Sequence, residues 1–142
     1  MKAYLDSSFL FSLYAEDVHS PAAISELKRF RGTSVLSSLS ELELVNALEL
    51  RVFRKELIRA QADQARDAFD GDLRDGVLAI FELEPATFLR ARKLILQTTA
   101  QIGCRAADIL HVAAALEVGA DRFFTFDQRQ KSVARRVKLE TN

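Results

Sequence analysis

The chain has 142 residues, 49% of them hydrophobic, a length within the usual range of one domain and a composition able to build one core. Its 20 acidic and 20 basic residues cancel, which excludes a general electrostatic attraction to polyanions and leaves any nucleic-acid contact to local patches. The longest apolar stretch, Ile109 to Leu116, is interrupted by His111 and falls far short of the ~20 residues that cross a bilayer, while Met1 to Asp6 meets an acid too soon for a secretory signal.

Taken in chain order, Tyr4-Leu5 reads as a short strand stopping at Asp6-Ser7-Ser8, after which Phe9, Leu10, Leu13 and Tyr14 recur at helical spacing. Ser20-Pro21 predicts a helix start, with Ser20 as N-cap and proline in the first position, for a helix over Ala22 to Phe30 that Gly32 ends. Thr33 to Leu36 follows as a strand. Ser37-Ser38-Leu39-Ser40 then opens a long helix with Leu42, Val45, Leu48 and Val52 on one face, paired with a second helix over about Glu56 to Leu73. Val77 to Phe81 is a nearly continuous apolar run, the pattern of a strand buried on both faces. Pro85 starts a helix through Gln101. Ala106 to Val118 is an unusually apolar helix ended by Gly119 in a left-handed C-cap. A strand from Arg122 to Phe126 stops at Asp127, a short helix covers Gln128 to Arg135, and Val137 to Leu139 is an edge-strand candidate.

Strands alternating with helices through short connections predict a parallel sheet covered on both faces. The expected architecture is a three-layer α/β/α sandwich forming one domain over residues 1–142. The single Cys104 has no disulfide partner and no ligand partners at metal-site spacing, as expected of a small buried residue in a reducing cytosol. A soluble, cytoplasmic protein is the expectation.

Ligands bind outside the carboxyl ends of strands in open α/β sheets, and two predicted strands end there in an acid, Asp6 and Asp127. Either alone reads equally as a turn former or helix N-cap; both at strand ends point to a site. Asp108 opens the most apolar helix. A buried carboxylate there needs a partner or a metal, whereas in the first helical turn it is stabilised by the macrodipole, and the residues leave both readings open. Ser40-Glu41-Leu42-Glu43 fits a capping box, as does Ser38-Leu39-Ser40-Glu41, so local spacing accounts for Glu41 or Glu43 structurally. The five glycines never cluster into a phosphate loop, and there is no serine nucleophile elbow. His19 and His111 lack partners at metal spacing, which makes His111 a packing histidine or a neighbour of the acids.

Three blocks together resemble the PIN-domain ribonucleases, especially VapC-type toxins of toxin–antitoxin pairs. They are Tyr4-Leu5-Asp6-Ser7-Ser8, Ser37-Ser38-Leu39-Ser40-Glu41-Leu42-Glu43-Leu44, and Ala107-Asp108-Ile109-Leu110-His111-Val112-Ala113-Ala114-Ala115-Leu116 joined to Phe124-Thr125-Phe126-Asp127. The resemblance implies a PIN-like sandwich with a short parallel sheet and places the acids on Asp6, Glu43, Asp108 and Asp127, with a two-residue slip to Glu41 as the alternative to Glu43. Ser7 and Thr125 match flanking hydroxyl positions. It further implies an endoribonuclease dependent on Mg²⁺ or Mn²⁺, ions that suit hard oxygen ligands. The alternative is a non-cleaving PIN-like module that binds RNA or protein.

Arg129, Lys131, Arg135, Arg136 and Lys138 form the densest cationic stretch near the acids, read either as an RNA contact or as a solvated terminal helix. The resemblance implies a cognate antitoxin and a homodimer. Phe9, Phe11, Leu13 and Tyr14, spread over more than one face of the first helix, are the expected dimer surface. The apolar faces around Phe9, Leu13 and Val45 are expected to anchor an antitoxin, whose Arg or Lys would pair with the acids.

Overall fold

The computed structural model describes residues 1–142. Five strands, β1 (Lys2–Leu5), β2 (Thr33–Ser37), β3 (Leu78–Phe81), β4 (Arg122–Phe124) and β5 (Glu140–Thr141), form one parallel sheet in the order β3-β2-β1-β4-β5. Seven helices accompany them: α1 (Ser7–Tyr14), α2 (Ser20–Arg29), α3 (Ser38–Phe53), α4 (Arg59–Arg74), α5 (Pro85–Ile102), α6 (Ala106–Glu117) and α7 (Gln128–Arg136).

The period-2 geometry of the central strands divides the core into two halves. Ala3, Leu5, Leu36 and Phe124 face one side, where they pack with Phe9 and Leu10 of α1, Leu44 and Leu48 of α3 and Phe69 of α4. Tyr4, Val35 and Phe123 face the other, against Leu94 of α5, Ile109 and Val112 of α6 and Val133 of α7. Each fully buried Phe or Leu contributes about 1.5–3 kcal/mol. The sandwich expected from the sequence is therefore present, with β1 buried at its centre.

Several local expectations are corrected. The run Val77 to Phe81 is not buried on both faces: β3 is an edge strand, and Val77 is 55% exposed. The last strand is Glu140–Thr141, not Val137 to Leu139. Val137 caps α7, Lys138 turns the chain with φ of 67°, and Leu139 drops into the core. The second long helix begins at Arg59 rather than Glu56, because Lys55, at φ 61°, reverses the chain after α3. Ser20 lies inside α2 rather than capping it, its hydroxyl accepting from the Asp17 N–H at 2.9 Å. Phe9 and Phe11 are buried beneath α3 and β4, so neither offers the expected dimer face or antitoxin anchor.

Gly32 does not end α2, which stops at Arg29. Its requirement is steric: a Cβ there would lie 2.3 Å from the Met1 carbonyl oxygen and 2.7 Å from the Phe30 ring. The Thr33 N–H donates to that same carbonyl at 3.0 Å, so the backbone cannot retreat without losing the start of the β1–β2 ladder. Gly32→Ala is expected to destabilise the fold by about 1–3 kcal/mol, the usual cost of overpacking. An unchanged denaturation midpoint would show that the chain relaxes freely here.

The parallel arrangement brings the carboxyl ends of β1, β2 and β4 to one edge. Strand order reverses at β1, whose neighbours β2 and β4 lead in opposite directions, and this is where open α/β sheets form a crevice.

Candidate functional site

Asp6 follows β1 and lies buried beneath that crevice. Its Oδ1 accepts from the Phe9 N–H at 2.9 Å, capping α1, and from the Ser8 hydroxyl at 2.8 Å. Thr125 Oγ1 donates to its Oδ2 at 2.6 Å. The side chain is wholly buried, and burial pushes its pKa above the ordinary carboxylate range despite these donors and the nearby His111.

Thr125 also accepts from the Asp127 N–H at 3.0 Å, which couples the segment after β4 to Asp6. Asp127 in turn caps α7, its Oδ1 accepting from the Gln130 N–H at 2.8 Å. Gln130 Nε2 donates to Asp108 Oδ1 at 3.0 Å, while Asp108 Oδ2 accepts from the Arg105 N–H at 3.3 Å. Asp108 thus takes the first-turn position of α6, with 14% of its side chain exposed.

Glu43 joins from the other side. The N-cap of α3 is Ser37, reciprocally bonded with Ser40, so neither Glu41 nor Glu43 closes a capping box. Two residues apart on a helix, the glutamates point different ways. Glu41 lines an apolar groove with Leu42, Val45 and Phe88, whereas Glu43 Oε2 accepts from the Ser7 hydroxyl at 2.5 Å and lies 2.9 Å from His111 Nε2. Burial raises the Glu43 pKa, but the hydrogen bonds from His111 and Ser7 outweigh it and hold the carboxyl below its usual value. Two neighbouring carboxyls pushed in opposite directions are a pattern characteristic of functional sites.

Behind Glu43 lies a buried relay that the sequence reading did not assemble. His111 is 1% exposed, and its Nδ1 lies 2.8 Å from the Tyr4 hydroxyl, which also meets Ser37 Oγ at 2.7 Å and Ser40 Oγ at 3.1 Å. A neutral imidazole satisfies the set when Tyr4 O–H donates to Nδ1 and Nε2–H donates to Glu43. Ser8 was likewise missed as a member of the site: besides bonding Asp6, it accepts from the Phe126 N–H at 3.0 Å.

Glu43, Asp108 and Asp127 line two adjoining cavities that share Asp127, while Asp6 is buried behind them, bonded to Ser8 in the wall of the larger. One, of about 480 Å³, is lined by Ser7, Glu43, Asp127 and, farther out, His19, Arg51 and Arg54; the other, of about 400 Å³, by Arg105, Asp108, Asp127 and Arg129. No group of three acid, histidine or cysteine side chains lies close enough to hold a metal ion as the side chains stand. The donor chemistry nevertheless fits a hard divalent cation. Glu43 Oε1 and Asp127 Oδ2 have no hydrogen-bond donor, and the buried Gln130 Oε1 beside Asp108 is unpartnered. Mg²⁺ needs only one or two protein carboxylates, with water and phosphate completing its shell.

Of the cationic stretch, Arg129 reaches the Asp108–Asp127 cavity, and Lys131 lies 6.0 Å over the Phe126 ring. Arg135 bonds Thr141 and Arg136 bonds Gln101, at the far end of α7, roughly 10 Å along the helix from its N-cap. Cys104 is buried and its thiol is pushed up to about 11, mainly by burial, so it stays protonated at neutral pH.

The fold and this crevice define an α/β protein with an acidic centre at its topological switch point. Residues 3–136 match the PIN domain family, and the chain belongs to it. No curated protein matches the sequence significantly. Among solved structures, VapC20 of Mycobacterium tuberculosis, described as a sarcin-ricin loop cleaving toxin, superposes with a TM-score of 0.72 at 14% identity, over 92% of this chain and 93% of that one. VapBC2 of Rickettsia felis, bound to a DNA fragment from its promoter, gives 0.68 at 18% identity over 100% and 98%. VapBC-1 of nontypeable Haemophilus influenzae gives 0.66 at 17% identity over 100% and 97%. At these identities the likeness is one of fold.

Proposed function

We propose that this protein is a Mg²⁺- or Mn²⁺-dependent endoribonuclease, the toxin of a toxin–antitoxin pair, acting in the cytoplasm. What supports the reading is a PIN-family fold in which Asp6, Asp127 and Asp108 are connected through Thr125 and Gln130 beside the switch-point crevice, with Glu43 held at the same crevice by Ser7 and His111. These four carboxylates would hold the ion, which when bound supplies an activated water and neutralises charge on the leaving oxygen. RNA hydrolysis leaving a 5′-phosphate and a 3′-hydroxyl is the outcome. Thr125 and Ser8 hold Asp6 in place, Ser7 and His111 orient Glu43, and Arg105 and Arg129 present cations to the substrate phosphate. Lys131 adds positive charge beside Phe126.

An antitoxin would inhibit by placing an Arg or Lys against the same carboxylates. The homodimer is proposed on a different surface from α1. Leu42, Phe88, Leu89 and Leu96 are between 53% and 72% exposed on α3 and α5, the former two beside an apolar groove. No helix is long and apolar enough to cross a membrane.

Purified protein incubated with total RNA tests the activity. Cleavage that requires Mg²⁺ or Mn²⁺ and stops with EDTA is the expected result. RNA that is bound but left whole under every metal condition would favour the non-cleaving module.

A further inference from the structure

Beside the acidic rim, the larger cavity has a wall the proposed chemistry does not use. The imidazole of His19, in the connection between α1 and α2, stacks on Phe126 with centroids 4.3 Å apart and planes 8° from parallel. Phe126 stacks in turn on Phe9 at 5.4 Å, and it lies between Thr125 and Asp127, so the rings adjoin the acidic centre directly. His19 is exposed, yet its position is fixed. Asp17 Oδ1 accepts from the His19 N–H at 2.8 Å, while Asp17 Oδ2 is taken by the Ser12 hydroxyl at 2.8 Å. A solvent-facing ring braced from behind and held by its own backbone is a preformed stacking platform.

Across the same cavity stand two guanidinium groups at the end of α3. Arg51 lies 4.9 Å over the Phe11 ring and is paired with Glu56 at 2.8 Å. Arg54, exposed, makes no ion pair or side-chain hydrogen bond. An aromatic face and an uncompensated cation flanking a nuclease centre match the two recognisable parts of a nucleotide, its base and its phosphate. The base has to be unstacked to lie on such a ring, which selects single-stranded RNA over an A-form duplex.

We propose that His19, backed by Phe126, and Arg54 form a subsite that receives one unpaired nucleotide of the RNA next to the scissile bond, the base on His19 and a phosphate at Arg54. The proposal rests on the ribonuclease reading above. The subsite makes the enzyme prefer single strands or loops, through stacking that is tolerant of base identity.

The test uses fluorescein-labelled single-stranded RNA of ten nucleotides and the duplex of the same sequence, with anisotropy read in Mg²⁺ in an Asp6→Asn background so that the RNA survives. Parallel cleavage assays use the otherwise wild-type protein. His19→Ala is expected to weaken single-strand binding by about five-fold or more while leaving duplex binding unchanged. Arg54→Ala is expected to reduce the slope of log affinity against log salt by about 0.7, the mark of one lost contact to a single-strand phosphate. Arg90→Ala, an exposed arginine paired with Glu117 on another face, controls for general charge loss and should change the single-strand preference no more than does buffer variation. If the wild-type protein cleaves RNA but both substitutions leave single-strand affinity and salt slope unchanged, the subsite is wrong and the ribonuclease reading stands. If they alter inhibition by a protein partner without altering RNA binding, the groove is a protein-docking site and the proposal is overturned. Failure of the wild-type protein to cleave or bind any RNA removes both readings.

Discussion

Asp6→Asn is expected to abolish metal-dependent RNA cleavage and, in metal-free buffer, to raise the melting temperature. The loss of activity should exceed about 100-fold, beyond the 10–100-fold typical of residues that only support a metal ligand. Stabilisation follows from the environment of the carboxyl. Asp6 is fully buried, and burial raises its pKa, so the folded protein disfavours the ionised form relative to the unfolded chain. That penalty is full above the folded-state pKa and disappears as pH falls through it to the unfolded value, roughly 3.9. Asparagine removes the charge while keeping an oxygen to accept from the Phe9 N–H, and it caps helices as well as aspartate does. The difference in melting temperature between variant and wild type should therefore be largest near neutral pH and shrink toward pH 4. Near wild-type cleavage in Mg²⁺, or a variant less stable at every pH, would remove Asp6 from the proposed centre.

The second large effect belongs to His111. Its replacement by Ala opens a cavity in the second core half and removes the partner of Tyr4 and of Glu43 at once. A cost of about 2–4 kcal/mol is expected from the lost packing and hydrogen bonds together. At roughly 2–4 °C per kcal/mol for a domain approaching 150 residues, the melting temperature should fall by about 5–15 °C. Activity measured well below that transition should still drop about 10–100-fold, because Glu43 keeps only its Ser7 contact. Tyr4→Phe separates orientation from packing. Its ring keeps the stack on Phe123 at 5.5 Å, while His111 Nδ1 loses the hydroxyl that sets its tautomer. We expect this variant to lower kcat with KM little changed, at a stability cost of about 1–3 kcal/mol from the buried hydrogen bonds left unmet at His111, Ser37 and Ser40, without the cavity of His111→Ala. Full activity in His111→Ala would show that Glu43 needs no support from behind.

The sequence by itself determined the layering and the edge of the sheet at which the acids gather. Continuous apolar runs in β1 and β4 mark strands covered on both faces, and apolar residues at helical spacing mark the core side of α3. Asp6 follows β1 directly, whereas β4 stops at Phe124 rather than the expected Phe126, and Asp127 is reached through Thr125 and Phe126. Local signals of this kind act over a few residues and survive in any single sequence. What the spacing left open was decided by contacts between distant segments. Glu43 is distinguished from Glu41 by Ser7 and His111, which lie 36 and 68 residues away, and by a cap that formed at Ser37 and left both glutamates free. Whether Val77 is covered depends on β3 having no neighbour on its outer side, and the burial of Phe9 and Phe11 depends on where α3 and β4 pack. The same holds for Gly32, which looked like a helix terminator and is in fact the point where the chain passes the Met1 carbonyl. The tertiary structure decided these because burial and hydrogen-bond partnership are properties of packed surfaces, and a residue's own neighbours in sequence do not specify which surface it will meet.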